Sequence, residues 1–172
     1  MGWAVIEYDG SLASCPGAGV IRTKKTLHKI TVFQDNQNRC EVLAMELLRV
    51  AKEYDVDFFA VEAESWTRTS SDRVIGMARG IIYGLACTNG YSVIQWHPKD
   101  AREEILGKKS AGKVELEQWL CENVDGVSKQ LKPITTSQRN HAADAAAIAI
   151  TEIRRGNLAK IFMAAAAKRG EQ

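Results

Sequence analysis

A chain of 172 residues, 45% hydrophobic and 26% charged, suits one domain, 1–172, with a core of its own. Thirteen glycines, three prolines and average charge exclude a collagenous, low-complexity or disordered chain. The longest uncharged stretches, such as Gly80 to Val93, are too short and polar to cross a bilayer, and no basic and apolar leader follows Met1. A soluble protein without a membrane partner is expected.

In chain order, Gly2 to Tyr8 is a short apolar run ended by Asp9-Gly10-Ser11, a hairpin signal. The return run, Leu12 to Thr23, carries Pro16, Gly17 and Gly19 and predicts a bulged strand. Alternation around Ile30-Thr31-Val32-Phe33 permits another strand. Leu43, Leu47, Val50, Ala51 and Tyr54 recur at helical spacing, predicting an amphipathic helix over Asn38 to Glu53. Phe58-Phe59-Ala60-Val61 is a continuous apolar run of the kind a doubly covered strand needs, and Glu62 and Glu64 follow it.

Ser71 to Asn89 predicts a second helix and Tyr91 to Trp96 another buried strand. Pro98 opens a short helix, where its missing N–H costs nothing. The polar loop Gly107 to Gly112 leads into a helix through Trp119 and Leu120, and Val124 to Gln138 reads as irregular. Asn140 is expected to cap a long alanine-rich helix ending near Arg154-Arg155-Gly156, and a short helix closes the chain. A hairpin followed by alternating strands and helices gives an α/β layered domain with a mixed sheet.

The net charge of +2 is uninformative, but the positive charge is local. Arg22, Lys24, Lys25 and Lys29 form one run, Lys108, Lys109 and Lys113 flank the polar loop, and Lys129, Lys132 and Arg139 lie in a stretch without an acid. Each run is either a polyanion-binding face or a set of ordinary solvated side chains. Cys15, Cys40, Cys87 and Cys121 lack the close spacing of a zinc site or redox dithiol, so four reduced thiols in the cytoplasm are expected.

Three features call for chemistry. A carboxylate at the end of a buried strand, Glu62, either emerges into solvent or sits beside a cation, and that end of an α/β sheet is where ligand sites form. His141 and Asp144 share one face of an otherwise apolar helix, as a cap or as a metal pair, and Asp144 lies too deep to cap a first turn. Gly76, Gly80 and Gly84 line one helix face, for close approach either within the chain or from a sister subunit. Trp66, after the strand acid, either stacks on a base or covers the core.

These segments together resemble a known family. Gly2-Trp3-Ala4-Val5-Ile6, the turn, and Gly17-Ala18-Gly19-Val20-Ile21-Arg22-Thr23 are similar to the first hairpin of RuvC-type Holliday junction resolvases. Phe59-Ala60-Val61-Glu62 resembles their strand with the second catalytic acid, Ala78-Arg79-Gly80 the following helix, and Gly107 through Lys113 their basic loop. His141-Ala142-Ala143-Asp144 with the alanines and isoleucines to Ile150 resembles the closing motif, whose first position is Asp or His. The resemblance runs from Gly2 to about Ile153.

It implies a ribonuclease-H-like mixed sheet flanked by helices, and a homodimer that nicks two opposed strands of four-way junction DNA in recombination and repair. It also implies two Mg²⁺ ions per active site, one generating the nucleophile and one stabilising the leaving oxygen. Glu62, His141 and Asp144 are then the expected catalytic residues and metal ligands. Lys108, Lys109, Lys113, Trp66 and Arg79 are the expected DNA contacts, and branch-migration motor proteins are possible partners. Two rivals stand beside this reading. One is a junction binder with an incomplete metal site. The other is a small-molecule phosphotransferase, for which neither a GxxxxGK[ST] loop nor a GxGxxG is present.

One departure from the family pattern is plain. The family's first catalytic aspartate lies on a strand just before the segment that begins here at Met1-Gly2-Trp3, and Asp9 sits in the turn at the wrong end to replace it. The resemblance therefore leads to an expectation of on the order of ten to fifteen residues upstream, carrying a strand of about five residues and an aspartate. A Gly2 to Tyr8 edge strand, exposed and packed normally with nothing beside it, is the observation that counts against this.

Overall fold

The computed structural model describes residues 1–25, 30–63 and 72–170. Strand β1 (Gly2–Tyr8) turns at Asp9 to Leu12 into β2 (Ala13–Val20). Gly10, at φ +98°, takes the backbone conformation that glycine adopts at least cost. The Asp9 carboxylate accepts from the Ser11 and Leu12 amides at 2.8 and 2.9 Å. The antiparallel register slips between Val5, opposite Gly17, and Glu7, opposite Ser14, so the extra residue lies on β2 as its composition predicted.

Helix α1 (Val32–Glu53) starts six residues earlier than its apolar periodicity indicates and takes up the Val32-Phe33 segment that had permitted a strand. The reason is a reciprocal cap. Thr31 Oγ1 accepts from the Gln34 amide at 3.2 Å and Gln34 Oε1 accepts from the Thr31 amide at 3.1 Å. Strand β3 (Phe58–Glu62), helix α2 (Asp72–Asn89) and strand β4 (Ser92–Trp96) follow. In α3 (Pro98–Leu106), His97 Nδ1 accepts from the Lys99 amide at 3.2 Å, and Gly107 closes the helix at φ +72°. Helix α4 (Lys113–Asn123) comes next, and within the stretch read as irregular lies the short helix α5 (Val127–Leu131).

Helix α6 (Thr136–Arg155) begins four residues before Asn140, which is therefore an interior residue and not its cap. The Thr135 carbonyl accepts from the Gln138 and Arg139 amides at 2.8 and 3.0 Å, which nucleates the earlier start. Helix α7 (Leu158–Gly170) ends the chain. No helix among the described residues is long and apolar enough to cross a membrane.

The strands form two ladders, β1 with β2 and β3 with β4, and among the described residues no pairing joins them. Among the described residues β1 pairs with β2 alone and is therefore an edge strand, mostly half-buried and packed on α6.

Two compact units make up the chain: Met1–Val20, Ala60–Glu64 and Ile94–Gln172 in the first, Ile21–Phe59 and Ser65–Val93 in the second. The first unit holds the main core, in which Leu116, Leu120, Val127 and Leu131 of α4 and α5 meet Ala142, Ala143, Ala146, Ala147 and Ile150 of α6. Burying each of those large aliphatic side chains contributes roughly 1.5–3 kcal/mol. The alanines let neighbouring backbone approach α6 closely. A Cβ on Gly2 would overlap the His141 carbonyl, so the start of β1 lies directly on the helix at the candidate site.

In the second unit α1 packs on α2, with Leu43, Leu47, Val50 and Ala51 buried and Phe59 edge-on to Tyr91 at 5.1 Å between ring centroids. A Cβ built on Gly76, Gly80 or Gly84 meets nothing within 4 Å. The glycine stripe of α2 therefore serves no close packing among the described residues of this chain.

Candidate active site

The three expected catalytic residues all belong to the first unit. Glu62 ends β3 and is exposed, and the next residue continues the pairing, the Ala63 amide donating to the Trp96 carbonyl at 2.9 Å. This strand-to-strand bond fixes the backbone that carries the carboxylate.

His141 and Asp144 stand on the second and third turns of α6, one turn apart on one face. His141 is exposed, and its carbonyl occupies the place a Cβ on Gly2 would need. Asp144 is different. Its carboxylate Oδ1 lies 3.7 Å from Nη2 of Arg102 on α3, both side chains being largely withdrawn from water, with exposures of 23% and 20%. Among the described residues the buried Arg102 Nε has no hydrogen-bond partner. Sequence reasoning missed Arg102. The signal was charge balance, since an aspartate on an alanine helix needs a counter-charge and α3 carries an arginine among acids.

The described side chains do not fit a divalent ion unaided. Among the described residues no three His, Cys, Asp or Glu side chains gather closely enough to hold a metal. Glu62 and Asp144 are the hard oxygen donors available, and a guanidinium already stands beside one of them.

Of the expected DNA contacts, Lys108 and Lys109 stand exposed in the loop after α3 and pair with acids of the flanking helices. Lys108 Nζ is 2.6 Å from Glu115, and Lys109 Nζ is 3.4 Å from Glu103 and 3.8 Å from Asp100. The Lys108 ammonium beside Glu115 holds that carboxyl below the usual carboxylate range. Lys113 opens α4 and is exposed. Arg79 is half-buried on α2, in the second unit, and Trp66 lies outside the described residues, as does Lys29 of the first basic run.

Arg139 is engaged locally, donating from Nε to the Ile134 carbonyl at 2.9 Å and pairing with Glu117 at 3.8 Å. Arg154 lies over the Trp119 ring at 4.9 Å.

Residues 1–152 match the family model described as crossover junction endodeoxyribonuclease RuvC. A crossover junction endodeoxyribonuclease RuvC of Fusobacterium nucleatum is 27% identical over 154 residues, covering 89% of this chain and 74% of that protein. The protein of the same name from Photorhabdus laumondii is 24% identical over 151 residues, covering 87% and 78%. Two solved structures share the fold. A Thermus thermophilus RuvC structure superposes with a TM-score of 0.65 at 22% identity, over 89% of this chain and 87% of that one. T. thermophilus RuvC in complex with Holliday junction substrate gives 0.67 at 21%, over 90% and 89%. The α/β, ribonuclease-H-like architecture expected from the sequence is thus the one observed.

Proposed function

We propose that this chain, which belongs to the RuvC family of crossover junction endodeoxyribonucleases, acts on four-way DNA junctions as a homodimer that nicks two opposed strands. The observation that carries the reading is the match over residues 1–152, within which the strand acid, the basic loop and the His141 to Asp144 motif fall in order.

Within this reading Glu62, His141 and Asp144 serve at the scissile phosphate, and Lys108, Lys109 and Lys113 hold neighbouring phosphates, a contribution indifferent to sequence and sensitive to salt. Arg79 and Trp66 are proposed as further DNA contacts. The reading implies Mg²⁺, two ions per site, and the described side chains would need the DNA phosphates to help hold them. The open glycine face of α2 supports a two-fold partner helix, and two-fold symmetry matches paired cuts in a junction.

A second reading is favoured by a specific observation. Because Glu62, His141 and Asp144 do not form a three-donor metal group, the chain alone is also suited to binding junctions without cutting them.

One experiment separates these. Synthetic four-way junctions and linear duplex of the same sequence are incubated with the protein in Mg²⁺ or Mn²⁺, with binding followed in parallel by gel shift. Symmetric nicks in the junction, absent in Glu62→Gln and Asp144→Asn, support the nuclease. Junction binding with no nicks supports the binder. Equal affinity for linear duplex sinks both.

A further inference from the structure

We infer that Arg102 is the resident cation of Asp144, so that the guanidinium and any divalent ion are alternative partners for the same carboxylate oxygens. The inference concerns the free protein and stands whichever junction reading holds.

The geometry is specific. Arg102 comes from α3 and Asp144 from the middle of α6, two helices packed together inside one compact unit, so the pair is set by tertiary packing. Nη2 and Oδ1 lie 3.7 Å apart, closer to an ion pair than to a formed hydrogen bond. Among the described residues the buried Arg102 Nε has no acceptor, and Asp144 is the carboxylate the guanidinium meets there.

A magnesium ion binds a carboxylate oxygen at about 2.1 Å. Seated on Oδ1, it would lie within a few ångströms of the guanidinium, and both are positive. The guanidinium beside Asp144 already offsets that carboxylate's charge, which disfavours a dication on the same oxygens. Divalent ions therefore bind weakly while Arg102 holds Asp144, and more strongly once that charge is removed.

The test uses the full chain without DNA. Mn²⁺ binding is measured by electron paramagnetic resonance of the free ion, for the natural protein, Arg102→Gln, Arg102→Lys, and Arg102→Gln with Asp144→Asn. Arg102→Gln is expected to bind Mn²⁺ about tenfold more tightly or better, Arg102→Lys to stay near the natural protein, and the double variant to lose the gain. Circular dichroism establishes that each variant is folded.

Should Arg102→Gln fail to fold, the natural protein is titrated with Mg²⁺ while the Arg102 Nε–H resonance is followed by NMR. Movement of that resonance with ion occupancy, lost in Asp144→Asn, supports exchange of partners. Unchanged or weaker Mn²⁺ affinity in a folded Arg102→Gln overturns the inference. So does a stationary Nε–H resonance while Mg²⁺ binds, or an absence of binding in every form.

Discussion

Trp96 donates its indole N–H to Oε2 of Glu152 at 2.8 Å, joining the end of β4 to a carboxylate with no exposure to water. The other oxygen of that carboxylate accepts the Leu158 amide at 2.9 Å and the Ala159 amide at 3.4 Å, so it caps α7 from inside the core. A Cβ on Gly156 would overlap the Glu152 carboxylate and displace it from these partners.

Glu152→Ala leaves two or three donors buried and a cavity beside Trp96, a loss on the order of 3–5 kcal/mol. For a chain of this size the melting temperature should fall by roughly 6–20 °C. Glu152→Gln keeps the shape but turns a donor toward donors, and should lose less. A thermal melt of the three proteins decides it. A shift within 2 °C or so for Glu152→Ala would mean the carboxylate contributes little.

Gly2 poses a sharper steric constraint. A Cβ on Gly2 would lie 2.1 Å from the His141 carbonyl oxygen, so Gly2→Ala must push the start of β1 off α6 at the candidate site. A loss of about 1–3 kcal/mol is expected from overpacking, with amide resonances moving in both Trp3 to Val5 and His141 to Asp144. Urea unfolding and an NMR comparison test this. An alanine variant of natural stability would show that strand and helix separate freely.

How legible this was depended on whether the determining interaction was local. The hairpin could be read because Asp9-Gly10 both demands and supplies its turn, and α3 because Pro98 and Gly107 mark its two ends. The starts of α1 and α6 were misplaced because apolar periodicity begins later than the helices do. Thr31 with Gln34 begins the first, and the Thr135 carbonyl begins the second. Glu62, His141 and Asp144 announced themselves as polar groups in apolar segments. Arg102 did not, because its meaning lies in a contact 42 positions away in sequence.

If Lys108, Lys109 and Lys113 meet phosphates, they must do so in competition with Glu115, Asp100 and Glu103 for the first two. Each alanine substitution that removes a phosphate contact should lower the slope of log affinity against log salt by about 0.9. Sequence preference should be unaffected. Junction binding titrated at several salt concentrations reads this directly, and an unchanged slope in the triple variant would remove the loop from the interface.

The cysteines should separate cleanly by environment. Burial pushes the Cys15 thiol up to about 11, and its Sγ donates to the Gly17 carbonyl at 3.4 Å. Cys87 is exposed on α2. In the folded protein at pH 8, a maleimide should label Cys87 rapidly and Cys15 only on unfolding. Because the folded value of Cys15 lies above its ordinary 9.0, the stability it contributes is complete below that value and is lost as pH rises through about 11. Mass spectrometry of labelled peptides identifies the sites, and fast labelling of Cys15 would refute its burial.

The hairpin turn should show the opposite pH response. Hydrogen bonds from the Leu12 amide, then from the Ser11 amide and hydroxyl, hold the Asp9 carboxyl down at about 2, below its ordinary 3.8. A depressed folded value means that the contribution of Asp9 to the turn is present above pH 3.8 and is lost as pH falls through about 2. The group is fully exposed, so the effect is local and belongs to the turn, leaving the core unaffected. Amide exchange at Ser11 and Leu12 should accelerate, relative to the intrinsic rate, between pH 4 and pH 2, while the α6 amides of Ala146 and Ala147 stay protected. Asp9→Asn keeps an acceptor oxygen and removes the titration, so its Ser11 and Leu12 amides should lose the pH dependence. If the natural protein and Asp9→Asn respond alike over that range, the carboxylate does not hold the turn.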